Sequence, residues 1–200
     1  MQIVGMLDSP YVRRLAVSMQ LLGVPYEHNP LSVFSTYEQF KTINPVVKVP
    51  TLVCDDGAVL MDSSLIIDYV ESLAGKSLLP AAGAARRDVL RLVGLALAAC
   101  EKAVQIVYEH KRPHEMQYAP WLTRVREQML AAFGALESEL AQRPLACDST
   151  SINQAGVTIA VTWCFAQSML ADMLPAADYP ALAEHSARAE QLAQFVAAPM

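Results

Sequence analysis

The sequence has no Cys-x-x-Cys pair, no excess of basic charge and no long apolar run. Its four cysteines, Cys54, Cys100, Cys147 and Cys164, stand far apart. That dispersal gives neither a dithiol redox motif nor a zinc knuckle, and no metal is expected. It suits buried thiols in a reducing compartment. Lysine and arginine number 15 against 20 aspartates and glutamates, for a formal net charge of −5. A nucleic-acid partner would want a basic face, so none is expected. No stretch approaches the ~20 apolar residues of a membrane span. The opening residues lack the basic start and apolar run of a secretory leader. A cytoplasmic protein without membrane contact is expected.

What is present is 200 residues, 54% of them hydrophobic, enough for one large domain or two small ones. The first 75 residues differ in pattern from the rest. Residues 2–7 (QIVGML) read as a short buried strand. From Pro10, the apolar positions Val12, Leu15, Ala16, Met19 and Leu22 recur at helical spacing, and Gly23 suits the helix end. Pro25 to Asn29 reads as a second strand and Tyr37 to Ile43 as a short helix. Pro50 to Cys54 and Ala58 to Met61 flank Asp55-Asp56-Gly57, a hairpin turn signal. Ser63 to Ala74 is helical and closes at Gly75. The order β-α-β-α-β-β-α over residues 1–77 makes an α/β unit with a mixed sheet. After a linker no strand stands out, and residues 84–200 form an all-α domain. Its helices are expected at Ala84–Lys111, Pro120 to about Ala141, and 153–172, with two shorter ones punctuated by Pro175 and Pro180.

Three stretches carry candidate chemistry. In "LDSPYVRR", Ser9 before Pro10 has the makings of an N-cap with proline at the first helical position. A hydroxyl there can also donate its hydrogen to a ligand, and a helix N-terminus favours an anion, a thiolate included. In "NPVVKVPTLV", Pro50 heads a strand. A cis Val49–Pro50 bond would turn the Val49 backbone outward, its N–H and C=O open to a peptide-like ligand, although trans is the commoner form. In "LMDSSLIIDYV", Asp62 and Ser63 fall where a strand meets a helix. Both are good caps, and the same geometry lets helix N–H groups hold a carboxylate while the acid holds an ammonium.

Taken together, "SPYVRR", "NPVVKVPTL" and "DSSLIIDYV", in this order and within this element pattern, resemble the cytosolic glutathione S-transferases. The resemblance covers essentially the whole chain, and the Ser-Pro-aromatic-Val form looks like the serine-type members, such as the tau class and several bacterial groups. It implies a thioredoxin-like N-terminal domain, an all-α C-terminal domain and a glutathione site. By this resemblance Ser9 is the catalytic hydroxyl that stabilises the glutathione thiolate. Val49 pairs its backbone with the cysteinyl part, before a cis-proline at Pro50. Lys48 reaches the glycyl carboxylate, and Asp62 and Ser63 hold the γ-glutamyl head. The chemistry agrees: glutathione has two carboxylates, an ammonium and a thiol, and these residues offer a cation, helix N–H groups, an acid and a hydroxyl.

The resemblance further implies conjugation of small electrophiles in a pocket to which Tyr11, Tyr108, Lys111 and Arg112 are candidates, and a homodimer. Against this, Tyr108 can be plain packing and "EHKR" a solvated helix end. Trp163 and Phe165 read as core. Rival functions are a non-catalytic glutathione-binding or regulatory protein, a glutathione-dependent peroxidase, an isomerase, or a thiol transferase. The last is disfavoured because no cysteine precedes Cys54. One stretch departs from the family pattern. In "STSINQAGVTIAV" a helix capped by Asn153 has Gly156 where an acid is usual, whereas a cap at Ser151 pairs with Gln154. If Asn153 is the cap, Gly156→Asp is expected to stabilise the fold.

Overall fold

A glycine ends the first strand. In the computed structural model, which describes residues 1–200, β1 spans Gln2–Val4. Gly5 follows at φ 139, in backbone space that side chains rarely enter. A Cβ there would sit 2.7 Å from the Val12 side chain and 2.9 Å from that of Val49. The strand expected to reach residue 7 therefore stops at Val4, and the chain turns toward α1, Pro10–Leu22. The remaining elements of the first unit are β2 (Glu27–Asn29), α2 (Tyr37–Ile43), β3 (Thr51–Val53), β4 (Val59–Met61) and α3 (Ser63–Ala74). Both α2 and α3 have the bounds that the sequence pattern predicts.

The sheet order is β2-β1-β3-β4. β1 runs parallel to β2 and antiparallel to β3, which pairs antiparallel with β4. This is the thioredoxin-like arrangement that the resemblance implies. Each strand is three residues long, so the helices must supply most of the burial. α1 does so with Val12, Leu15, Ala16 and Met19, all without exposed surface, and packs on α3. Phe40 of α2 joins Val4 and Leu31 in a smaller cluster. The C-terminal segment Leu192–Met200, assigned by sequence to the helical domain, groups with this unit. Arg13 of α1 explains why. It is 2% exposed, donates from Nε to the Ala198 carbonyl at 2.8 Å, and lies 5.7 Å from the centre of the Phe195 ring.

The second compact unit, Leu79–Gln191, is helical: α4 (Gly83–His110), α5 (Ala119–Gln142), α6 (Gln154–Leu170) and α7 (Pro180–Ala189). A four-residue α8, Ala193–Val196, belongs to the C-terminal segment of the first unit. α6 is buried almost all round, as befits its apolar sequence. Phe133 and Trp163 meet edge to face with ring centres 5.5 Å apart, and Tyr179 lies 5.5 Å from Trp163. Glu137 reaches from α5 to the start of α7, where its two oxygens accept the Ala181 and Leu182 amides at 2.9 Å.

Asn153 is the cap of α6. Its Oδ1 accepts the Ala155 and Gly156 amides at 3.0 and 3.1 Å. Ser151 instead bonds Asp148. The expectation that an acid at position 156 would then stabilise the fold does not survive the packing. A Cβ on Gly156 would stand 2.9 Å from Ile152 and 3.4 Å from the His185 ring. That ring is 6% exposed and donates to the Gly156 carbonyl at 3.0 Å.

Candidate functional site

The residues singled out in the first unit lie on three segments that meet beyond the ends of β1 and β4. Ser9 is at the N-cap position of α1 in extended conformation, followed by Pro10 at the first helical position. The backbone caps in the ordinary way, with the Arg13 amide on the Ser9 carbonyl at 3.0 Å. The Ser9 hydroxyl makes no capping bond, so the simple reading of this serine as a side-chain cap does not describe it. The half-buried hydroxyl keeps both its hydrogen and its lone pairs for a partner, at a helix end that favours negative charge.

Val49 is held beside this turn by its contact with Gly5. The Val49–Pro50 peptide bond is cis. β3 begins at Thr51, opposite Val4, so the backbone of Val49 lies outside the paired register. Lys48 places its Nζ 3.4 Å from Asp62 Oδ2, both side chains being about half exposed. This pair joins two residues that the resemblance assigns to opposite ends of one ligand.

Asp62 caps α3, accepting the Ser64 amide on Oδ1 at 3.0 Å. Its φ of 76 lies in the left-handed region, a costly place for a residue with a Cβ. Burial alone would raise the Asp62 carboxyl, but the Ser64 amide, Lys48 and the Leu65 amide together outweigh it and hold it below the ordinary carboxylate value. The acid therefore stays ionised well below neutrality, ready for an ammonium. Ser63, 4% exposed, receives the Arg14 guanidinium on its hydroxyl at 2.9 Å, and the same nitrogen reaches Ser64 Oγ at 3.0 Å.

Arg14 is one residue that sequence reasoning missed. The paired arginines of "SPYVRR" were visible as a pattern, but charged side chains are read by default as solvated. In fact Arg14 is 3% exposed and ties α1 to the start of α3. Of the pocket candidates, Tyr11 is in the first turn of α1 and half-buried. Tyr108 and Arg112 belong to the second unit. Tyr108 is 48% exposed, with the Lys111 ammonium 5.7 Å from its ring centre. Arg112 pairs with Glu109 at 3.4 Å. The solvated reading of "EHKR" holds for His110, Lys111 and Arg112, which are exposed, but not for Glu109, which is 8% exposed and whose other oxygen accepts the Tyr118 amide at 2.9 Å. Trp163 and Phe165 are core, as expected.

Comparison with known proteins bears on this arrangement. The family model for the glutathione S-transferase N-terminal domain matches residues 3–78. The GST-like protein YibF of Escherichia coli K12 is 27% identical over 162 residues, covering 80% of each chain. The maleylacetoacetate isomerase of Rattus norvegicus is 24% identical over 175 residues, covering 84% of this chain and 78% of that one. A glutathione transferase family member from Pseudomonas fluorescens Pf-5, solved with bound S-(propanoic acid)-glutathione, superposes with a TM-score of 0.81 at 27% identity over the full length of both chains. The matched domain covers every candidate residue from Ser9 to Ser63: residues 3–78 form a glutathione S-transferase N-terminal domain, and the full-length likeness to the solved transferase takes in the helical unit as well.

Proposed function

We propose that the protein is an enzyme that binds glutathione in its first unit and conjugates the thiolate to small electrophiles. The observation that carries the reading is the Ser9 hydroxyl, placed at the head of α1 and unused in capping it. One hydrogen bond to a charged sulfur is worth about 1.5–3 kcal/mol, or roughly one to two units of thiol pKa. More thiolate at neutral pH speeds conjugation, although the gain is tempered because nucleophilicity falls with basicity.

In this reading the backbone of Val49 pairs with the cysteinyl peptide, Asp62 takes the γ-glutamyl ammonium, and Ser63 with the α3 amides takes its carboxylate. Arg14 orients the Ser63 hydroxyl from behind. Lys48 serves the glycyl carboxylate and must release Asp62 to do so. Tyr11, in the first turn of α1, serves the electrophile. Retention on immobilised glutathione, followed by an assay across chloronitrobenzenes, epoxides and α,β-unsaturated carbonyls, tests the function. Retention without turnover would favour a glutathione-binding regulatory protein. A second reading, glutathione-dependent cis–trans isomerisation, is favoured by the likeness to maleylacetoacetate isomerase over 84% of this chain, and a maleyl substrate belongs in the same panel.

The protein works as a homodimer in this account. α3 presents Leu65, Tyr69 and Leu73, at 68, 36 and 53% exposure, four residues apart on one face, which is the kind of apolar stripe a second copy covers. Sedimentation of wild type against Leu65→Lys tests it. The four cysteines are free thiols, which suits the cytoplasm.

A further inference from the structure

Asn44 and Thr51 are buried polar residues, 2% and 0% exposed, with no part in the chemistry described above. They form one connected network. Asn44 Nδ2 donates to Thr51 Oγ1 at 2.9 Å, and Thr51 Oγ1 donates to the Lys48 carbonyl at 2.7 Å. Asn44 Oδ1 accepts the Val46 amide at 3.0 Å, and its backbone carbonyl accepts the Val47 amide at 2.9 Å. Nδ2 also contacts the Met61 sulfur at 3.9 Å. Met61 lies opposite Thr51 in the sheet and immediately precedes Asp62. One buried amide thus touches both segments that carry the ligand-binding residues: the loop bearing Lys48 and Val49, and the strand end leading into Asp62.

The backbone supports the same view. The non-glycine residues with left-handed φ are Val47 at 52 and Asp62 at 76. One lies in each of the two segments that Asn44 contacts. A β-branched residue in that region is a marked outlier. Such conformations persist where the surroundings over-determine them, and they gather at binding sites. Here the over-determination is visible: the buried Asn44 and Thr51 side chains bond the loop at Val46 and Lys48, and the Asn44 backbone carbonyl bonds it at Val47.

We propose that Asn44 and Thr51 are positioning residues that set the Lys48–Val49 loop against Asp62 so that glutathione meets both at once. The proposal rests on the reading that Lys48, Val49 and Asp62 bind glutathione. A network that is only structural can be replaced by apolar groups of matching shape at little cost. A positioning network cannot, because the loop would lose its register with Asp62 even in a stable fold.

The test measures the glutathione dissociation constant by calorimetry, together with KM, kcat and Tm, for wild type, Thr51→Val, Thr51→Ser, the double variant Asn44→Leu/Thr51→Val, and Val70→Ala. Val70 is fully buried in α3 and serves as a control for lost stability alone. The expected result is a rise of about ten-fold in Kd and KM for Thr51→Val, with kcat at saturating glutathione changed far less. Thr51→Ser keeps the hydroxyl and restores affinity. The double variant removes the Asn44 side-chain amide together with its Thr51 partner and leaves the Val46 amide to solvent, so it folds even where Thr51→Val does not, and shows the same loss of affinity. Wild-type affinity in the double variant, or an equal rise in Kd for Val70→Ala, would overturn the proposal. Failure of the wild type itself to bind would overturn the glutathione reading, and this proposal with it.

Discussion

The two units are stabilised by different means. The first has three-residue strands and uses buried polar side chains beside its candidate site: Arg14 on Ser63 and Ser64, Asn44 on Thr51, and Thr51 on the Lys48 carbonyl. The second is a packed apolar interior, with Phe133, Trp163 and Tyr179 in contact and α6 enclosed on most sides. Its partly buried Glu137 and Asn153 satisfy the starts of α7 and α6, and its buried His185 and Ser186 bond backbone carbonyls of α6. Directional bonds fix angles and positions, and they are costly when one partner is lost. Apolar packing fixes volume and supplies most of the free energy. Both units bury polar side chains, but the first sets several of them around the candidate site, whereas the second sets them within a larger apolar interior.

The largest effect that would sharpen this contrast is in the second unit. Phe133 is fully buried, and Phe133→Ala should cost about 3–5 kcal/mol, read as a shift in the denaturant midpoint. Glutathione affinity per folded molecule should not change, and a matching loss of affinity would break the distinction between the units. Next is Arg14→Met, which keeps the apolar stem and removes the guanidinium. Here affinity should suffer more than stability, with KM for glutathione rising about ten- to a hundred-fold, the equivalent of one or two lost bonds to a charged donor. A fall in kcat at constant KM would place Arg14 elsewhere in the cycle.

How much of this was legible beforehand depends on the kind of residue. α2 and α3 were readable because apolar spacing and turn signals mark both ends of each. β1 was drawn too long because an apolar run conceals a turn, and the run "QIVGML" hides the close approach at Gly5. Ser9, Lys48, Val49, Asp62 and Ser63 could be named as candidates because their types match the chemistry of glutathione and they sit in recognisable motifs. Arg14, Asn44, Thr51 and Glu109 could not. Each is a polar residue buried by tertiary contacts with elements distant in sequence, and no local pattern distinguishes such a residue from a solvated one. Gly156 is the instructive reversal: first-turn electrostatics favoured an acid, and Ile152 and His185 leave it no room.

That reversal supplies a smaller effect. Gly156→Asp should destabilise by about 1–3 kcal/mol through overpacking, and the affinity of the first unit for glutathione should be unaffected. A higher Tm would show that the His185 and Ile152 side chains give way. The smallest effect concerns the Lys48–Asp62 pair, exposed enough that it contributes at most about 1 kcal/mol. If Lys48 competes with the ligand ammonium for Asp62, Lys48→Met should bind γ-glutamylcysteine somewhat more tightly than wild type while binding glutathione, which has the glycyl carboxylate, more weakly. Equal weakening for both ligands would show that the pair orders Asp62 and does not compete for it.

The central claim is that the Ser9 hydroxyl stabilises the thiolate, and the conjugation rate against pH for wild type and Ser9→Ala tests it most directly. The alanine enzyme should bind glutathione through Val49, Asp62 and Ser63, conjugate about ten- to a hundred-fold more slowly at neutral pH, and show its thiol titration midpoint about one to two units higher. Because the hydroxyl makes no capping bond, its Tm should stay close to that of wild type. An unchanged rate and an unchanged midpoint would contradict the claim and move the search for the catalytic group to Tyr11.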